Sequence, residues 1–315
     1  MIQVRTTPNL FGITLLGDYQ DLNALYDSLS RYLDFYMDQM GEGYPYHEYE
    51  YLLSLNYDIR HAYMGTRECE LMENNAENMG VFNESMYELP EEIKKENRTI
   101  RRSLKKGNLY FSVEILYPLV FHYLIAFENI LTDEPEPEYF EDLSDADEPW
   151  MKDYTYFDAM RDHAQIRHFT SLLWKNVQEL VGNEPALYLY DYYEGTDYMI
   201  PLSLYCDALL HCQLRNFPNL TREEKLQFLE LSLYEIIDTD DLETYSDIYE
   251  ESFARYNELI KNLNKKEEFP LFPEKELFYD QLDAAFPNGT PLYEDSFDAF
   301  LDKHYGIVEN EYPDW

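Results

Sequence analysis

The sequence predicts a mainly α-helical protein, with a small N-terminal β-hairpin or sheet packed on helices and an α-helical C-terminal half. Two short apolar segments near the N-terminus flank a turn-forming cluster, Thr7, Pro8 and Asn9, which is typical of a hairpin. Apolar residues then recur at helical spacing through most of the chain. The 31 Tyr, 18 Phe and 3 Trp residues provide enough apolar surface for a sizeable core.

The hairpin and the first helix come first in the chain. Residues 2–4 and 11–16 are the two predicted strands. Asp18 is the predicted N-cap of a helix that ends near Gly41. Its apolar face consists of Leu22, Leu25, Tyr26, Leu29, Leu33 and Tyr36.

A second helix and a buried segment complete the predicted N-terminal module. Residues 52–63 have helical periodicity and are expected to stop at Gly65. Residues 108–117 fit either a strand or the start of a helix. Pro118 favours a break there, with a helix over residues 119–131.

An acidic segment marks the predicted domain boundary. Asp133–Glu148 contains nine acidic residues and no basic one, so we predict a module over 1–132, an acidic linker or loop over 133–153, and a helical domain over 154–315. The predicted C-terminal helices are residues 154–180, 200–214, a segment that begins at the capping box of Thr221 and Glu224, and residues 242–263, 274–286 and 294–304.

The charge of the chain restricts its partners. Its 63 Asp and Glu residues against 24 Lys and Arg give a formal net charge of −39 over 315 residues. Such a field repels nucleic acid and anionic membranes and attracts basic protein surfaces. Adaptation to high salt is the alternative explanation, but it fits poorly with a core rich in Tyr, Phe, Ile and Leu.

The sequence indicates a cytoplasmic protein. Three cysteines without a CxxC pair argue against a disulfide framework, and the N-terminus lacks a basic segment that leads into an apolar one. The longest apolar segment, Tyr110–Phe127, is broken by Glu114, Pro118 and His122 and is expected to lie in the core.

One short segment combines several chemically active side chains. Asp58 and His61 stand three residues apart on a helix, where the carboxylate could orient the imidazole as a general base. Arg60 and Arg67 would bind an anion, and Glu68 completes this alternative catalytic site. The structural interpretation is a polar helix end capped by Gly65, and we favour it because no nucleophile is marked nearby.

Histidines elsewhere do not predict a metal centre. His163 and His168 follow Asp162 and Arg167 and stand five residues apart, so they diverge on a helix. Asp207, His211 and Cys212 would need further zinc ligands from another element. We therefore expect no metal and no cofactor.

Two acidic runs are the predicted partner-binding surface, because neither has the spacing of a calcium-binding loop. Their residues are Asp133, Glu134, Glu136, Glu138, Glu141, Asp142, Asp145, Asp147, Glu148, Asp238, Asp240, Asp241, Glu243, Asp247, Glu250 and Glu251. A basic stretch, residues 94–106, is expected to pair with acidic neighbours of the same chain.

Several motifs of the N-terminal part are similar to a known family. They are Thr7–Gly12 (TPNLFG), Gly17 and Asp18, Tyr57–Ala62 (YDIRHA) with Gly65, Arg67 and Glu68, and Asn108–Pro118. On these residues the chain resembles a family of uncharacterised bacterial proteins, mainly from Gram-positive bacteria, known as a domain of unknown function. The resemblance covers roughly residues 1–131. It implies a shared N-terminal module with no known activity, to which an acidic C-terminal half is added.

Two functional hypotheses follow. The first is a non-enzymatic acidic inhibitor or decoy that binds a basic, nucleic-acid-handling protein, as in phage counter-defence or toxin immunity. It involves no direct nucleic-acid binding and no membrane, and it permits a homodimer. The second is an enzyme that uses Asp58, Arg60, His61, Arg67 and Glu68. We favour the first because of the charge and because recognisable catalytic motifs are missing.

Overall fold

A computed structural model shows a mainly helical protein with a small N-terminal antiparallel sheet, which confirms the predicted fold class. The structure describes residues 1–40, 46–73, 107–131, 135–140, 153–183, 186, 187, 190, 201–236, 258–261, 263, 270–287 and 294–308. The basic stretch at 94–106 lies outside them, as does most of the predicted helix at 242–263, of which 258–261 and 263 are helical.

The sheet has four strands in the order β1-β2-β4-β3, and every pair is antiparallel. The strands are β1 (Gln3–Thr6), β2 (Gly12–Gly17), β3 (Glu68–Glu73) and β4 (Gly107–Leu116). The predicted hairpin is therefore correct, and residues 108–116 of the ambiguous segment 108–117 form a strand, with Tyr117 the first residue of the helix that follows. Strand β3 was not predicted, because four of its six side chains are polar or small and it lacks an alternating apolar pattern.

The central strand pair provides the link between the sheet and the helices. Ile13 lies opposite Ile115 and Leu15 opposite Val113, and all four side chains are buried. Thr14 and Glu114 alternate with them and lie on the other face of the sheet. Burial on one face therefore sets the register of β2 against β4.

The helices follow the predicted segments closely. They are α1 (Tyr19–Met40), α2 (Tyr46–His61), α3 (Tyr117–Leu131), α4 (Tyr156–Val181), α5 (Pro201–Asn216), α6 (Arg222–Ile236), α7 (Lys275–Ala285) and α8 (Glu294–Tyr305). Short helical turns cover Ala62–Thr66, Pro137–Phe140 and Phe217–Asn219.

Polar side chains cap several helix starts as expected. Asp18 accepts a hydrogen bond of 3.0 Å from the backbone of Asp21 at the start of α1. Thr221 and Glu224 form the predicted capping box before α6, with backbone-to-side-chain distances of 2.8 and 3.3 Å. A second box, formed by Thr155 and Asp158, starts α4.

The core is continuous across the predicted domain boundary. Helix α3 is buried along almost its whole length and packs against α2, α4, α5 and α6. Phe127 on α3 meets Phe169 on α4 edge to face, with ring centroids 5.9 Å apart. Residues before 133 and after 153 thus share one core, while the boundary segment itself lies largely outside the described residues.

Candidate functional site

The segment from Asp58 to Glu68 spans three kinds of local structure. Helix α2 ends at His61, a π-helical turn follows, and Gly65 adopts a positive φ of 76° before the chain enters β3 at Glu68. The sequence pattern places Arg60 and Arg67 on one helix face only if the helix continues past Gly65. It does not continue, in agreement with the predicted stop at Gly65, so Arg60 and Arg67 do not share a helix face: Arg67 lies beyond the helix, at its C-cap.

The contacts within this segment are local and partly exposed. Arg67 pairs with Asp58 at 2.7 Å, and both side chains remain a third to a half exposed. Thr66 donates its hydroxyl to the backbone carbonyl of His61 at 2.9 Å, and its oxygen lies 2.9 Å from Nδ1 of the same residue. Because the hydroxyl proton is used, Nδ1 is the donor in the second contact, and Thr66 orients the imidazole.

Asp58 and His61 therefore have different partners, although the sequence places them on one helix face. The ring of Tyr57 packs against the imidazole of His61 in a tilted arrangement, with ring centroids 4.2 Å apart, and Arg60 and Glu68 are exposed. The polar contacts of Asp58 and His61 described above are made by Arg67 and Thr66, respectively. This arrangement is what a polar helix end requires.

The predicted acidic surface is only marginally visible in the described part of the chain. Glu136 is exposed there, and Glu138 lies in the turn Pro137–Phe140. The other predicted residues of both runs lie outside the described residues.

A buried carboxylate on α4 has a role that the sequence did not indicate. Asp162 is fully buried and accepts two hydrogen bonds of 2.8 Å from Arg31 on α1. Ser28 and Tyr154 donate to it at 3.0 and 3.1 Å, and Arg161 adds a further contact. The pair raises the pKa of Arg31, because the guanidinium donates directly to the carboxylate. Asp162 thus joins α1 to α4.

The neighbouring histidines on α4 diverge, as the spacing predicted. His163 is buried against the ring of Tyr32, and its Nε2 lies 3.4 Å from the carbonyl of Leu131. His168 is exposed on another face of the helix.

A second buried cluster connects α2, α3 and α5. Cys206 Sγ lies 3.7 Å from Nδ1 of His122, and the ring of Tyr51 packs 4.3 Å from the imidazole. The hydroxyl of Tyr51 is 3.5 Å from the carboxyl of Asp207. Burial lowers the pKa of His122 to about 3 and raises that of Asp207 to about 7, while it also raises the pKa of the Cys206 thiol.

This cluster does not form an activated nucleophile. A reactive cysteine needs a stabilised thiolate, whereas desolvation here favours the neutral thiol beside a neutral imidazole. Of the other residues that were considered as zinc ligands, His211 donates through Nε2 to the carbonyl of Gly306 at 2.7 Å, and Cys212 is buried. Within the described ranges, no group of His, Cys, Asp and Glu side chains is arranged to hold a metal ion.

An acidic stripe that the sequence reasoning missed lies on α7. Glu276, Asp280 and Asp283 are all exposed and are spaced by four and three residues, so they share one face of the helix. Asp298 is exposed on α8, and Asp302 follows it by one turn. The spacing of these three acidic residues is visible in the sequence, but they are too far apart along the chain to form a dense acidic run.

Comparison with known proteins identifies a family. A family model described as "Domain of unknown function (DUF6904)" matches residues 2–272. The match extends far past residue 131, so the predicted limit of the resemblance was too narrow, and most of the acidic C-terminal half is part of the family domain. No curated protein and no solved structure matches the chain. In the described part of the chain, no helix is long and apolar enough to cross a membrane.

Proposed function

The chain belongs to the DUF6904 family, a domain of unknown function, and we propose that it is a non-enzymatic acidic protein that binds a basic protein partner. It acts in the cytoplasm as an inhibitor or decoy, and it occupies the surface with which a nucleic-acid-handling protein contacts phosphates. Phage counter-defence and toxin immunity are the settings in bacteria that fit such an activity. The observation that carries the proposal is the net charge of −39.

The distribution of ion pairs supports this proposal. Five arginines of the described residues form ion pairs within the chain: Arg5 with Glu70, Arg31 with Asp162, Arg67 with Asp58, Arg161 with Asp158, and Arg167 with Glu128. Since cations are scarce, each of these pairs leaves fewer of them to neutralise the other carboxylates of the chain. The excess of 63 acidic over 24 basic residues therefore remains largely a surface property.

The stripe on α7 has a spacing suited to a phosphate-binding partner. At a rise of about 1.5 Å per residue, its carboxylates are about 6 and 4.5 Å apart along the helix axis. A nucleic-acid strand carries one charge per ~3.4 Å, so the two charge densities are of the same order. Leu277 on the same helix is 48% exposed and supplies apolar contact area beside the charges.

The first test is a pull-down with the tagged full-length chain from nuclease-treated bacterial lysate at low salt, followed by salt-step elution and mass spectrometry. We expect one stoichiometric basic protein that elutes at moderate salt and loses its bound DNA or RNA when the acidic chain is added. Recovery of no stoichiometric partner, or a complex that is indifferent to salt, would count against the proposal.

A matched pair of triple variants localises the contact. Glu276→Gln, Asp280→Asn and Asp283→Asn together remove three charges from α7. Glu73→Gln, Glu179→Gln and Glu223→Gln remove three charges from scattered exposed positions. Weaker binding of the first variant alone would assign the contact to α7. Equal binding by both would assign it elsewhere, with the predicted runs around Glu141 and Asp241 as the next positions to neutralise.

The alternative, an enzyme that uses Asp58, Arg60, His61, Arg67 and Glu68, lacks a supporting observation in the described residues. Asp58 pairs with Arg67, and His61 contacts Thr66, so the two do not act on each other. His61→Ala is expected to leave partner binding unchanged in the same pull-down.

A further inference from the structure

A cavity of about 490 Å³ opens beside α4. One wall is a stripe of α4 that includes Arg167, Ser171, Trp174, Lys175 and Gln178. The opposite wall is formed by Asn183, Ala186, Leu187 and Tyr190, and Glu128 of α3 lies at the base. Its volume falls within the range of about 300–1,000 Å³ that is usual for small-molecule sites.

The base of the cavity is held rigidly by side chains that satisfy each other. Glu128 is 2% exposed and pairs with Arg167, which also donates to the backbone carbonyl of Leu131. Trp174 donates its indole N–H to the same carboxylate at 2.9 Å. Because the buried charge has its partners within the protein, the base is electrically neutral and needs no ligand to compensate it.

The hydrogen bond from Trp174 to Glu128 also holds an aromatic wall of the cavity in place. With its N–H bound to Glu128, the indole of Trp174 is fixed in orientation, and the ring of Tyr190 packs against it edge to face at 5.4 Å. Ala186 and Leu187 extend this apolar surface, and Leu187 is 55% exposed. A preformed aromatic and aliphatic wall suits a flat apolar ring, which stacks on it at little cost in conformational entropy.

Lys175 gives the cavity its charge selectivity. It is exposed at the rim, and the described residues include no ion-pair partner for it. Since Glu128 and Arg167 neutralise each other, Lys175 leaves the described lining residues with an excess of one positive charge. In a chain of net charge −39, this makes the rim a locally favourable position for an anion.

We propose that this cavity binds a small molecule that consists of a flat apolar ring system with one anionic substituent. The ring lies against Trp174 and Leu187, and the anionic group is bound by Lys175. This proposal uses none of the residues of the proposed partner-binding surface, so either proposal can fail without the other.

Two fluorescent probes that differ in one charged group provide the test. 1-Anilinonaphthalene-8-sulfonate carries a naphthalene ring and a sulfonate, and N-phenyl-1-naphthylamine carries the same rings without the charge. Both are titrated into the folded full-length protein under conditions where unfolding is excluded by circular dichroism. We expect saturable binding of the sulfonate probe to a single site, tighter than that of the neutral probe.

Two variants with matched controls locate the site. Ser171→Phe places a ring in the cavity from an exposed helical position and is expected to abolish binding of both probes. Ala164→Phe, at an exposed position two turns earlier on α4, is its control and should bind normally. Lys175→Met is expected to weaken the sulfonate probe about fivefold and to leave the neutral probe unchanged, whereas Lys261→Met should change neither.

Three results would overturn the proposal. Non-saturable binding would show that the cavity has no defined site. Normal binding by Ser171→Phe would place the probes elsewhere. Equal affinity for both probes, with no effect of Lys175→Met, would show that the site does not select an anion.

Discussion

Arg31 on α1 and Asp162 on α4 form two hydrogen bonds of 2.8 Å each across 131 residues of sequence, and the carboxylate of Asp162 is fully buried. The exposed pair of Arg67 and Asp58 has a similar distance of 2.7 Å. Identical chemistry at such different depths should contribute very differently to stability, because a buried charge that loses its partner cannot be compensated by water.

We predict that Arg31→Met lowers the free energy of unfolding by about 3 kcal/mol. The variant leaves Asp162 buried with only Ser28, Tyr154 and Arg161 as donors. Arg67→Met, which breaks the exposed pair, should cost less than about 1 kcal/mol. Urea denaturation followed by circular dichroism measures both, and equal losses would contradict the structural role of Asp162.

Phe169 and Phe157 are a buried and an exposed phenylalanine on the same helix, so their alanine variants measure how much burial in the core contributes to stability. Phe169 is 1% exposed and packs on Phe127 of α3, whereas Phe157 is 80% exposed. Phe169→Ala should therefore lower the free energy of unfolding by about 3–5 kcal/mol, through lost burial and the cavity that remains. Phe157→Ala should change it by less than about 0.5 kcal/mol. The difference in urea midpoint at constant slope provides the measurement.

Two glycines are expected to tolerate alanine to different degrees. At Gly65, φ is 76° but an added Cβ would meet nothing closer than a ring atom of Phe111 at 3.8 Å, so Gly65→Ala should cost about 1–2 kcal/mol of conformational strain. At Gly12, the added Cβ would lie 1.9 Å from the carbonyl oxygen of Ile115. Gly12→Ala must therefore displace β4, and we expect a larger fall in thermal midpoint than for Gly65→Ala.

Asp207 should make stability depend on pH in a defined direction. Its pKa is raised by burial from 3.8 to about 7, so the folded protein keeps a proton that the unfolded chain releases above pH 4. Stability contributed by this group is present below pH 4 and is lost as the pH rises to 7. Asp207→Asn should therefore gain stability relative to the parent protein over that window, by up to about 1.4 kcal/mol per pH unit.

His122 has the opposite effect on stability. Its pKa is lowered from 6.5 to about 3, so the folded protein loses stability as the pH falls through that range. The parent profile alone would combine both groups, whereas the difference between parent and variant isolates Asp207. Asp280→Asn, at an exposed carboxyl, is the control. A constant difference from pH 4 to 7 would mean that Asp207 is ionised in the folded protein.

The sequence correctly predicted those elements that depend only on residues close to each other in the chain. The N-terminal hairpin, the helix that starts after Asp18 and the capping box of Thr221 and Glu224 depend on residues close in sequence, and all three are present. Strand β3 was not predictable from local sequence, because its six residues are largely exposed and form a strand only by pairing with β4.

The sequence by itself determined the fold class, most helix positions and the acidic charge, because periodicity, capping and composition are properties of the chain alone. Only the tertiary structure decided which polar groups meet. Arg31 and Asp162, Glu128 and Trp174, and the walls of the cavity beside α4 are brought together from distant segments by burial of one shared core. A carboxylate such as Asp162 is indistinguishable in sequence from an exposed one, and its burial and pairing follow from helix packing.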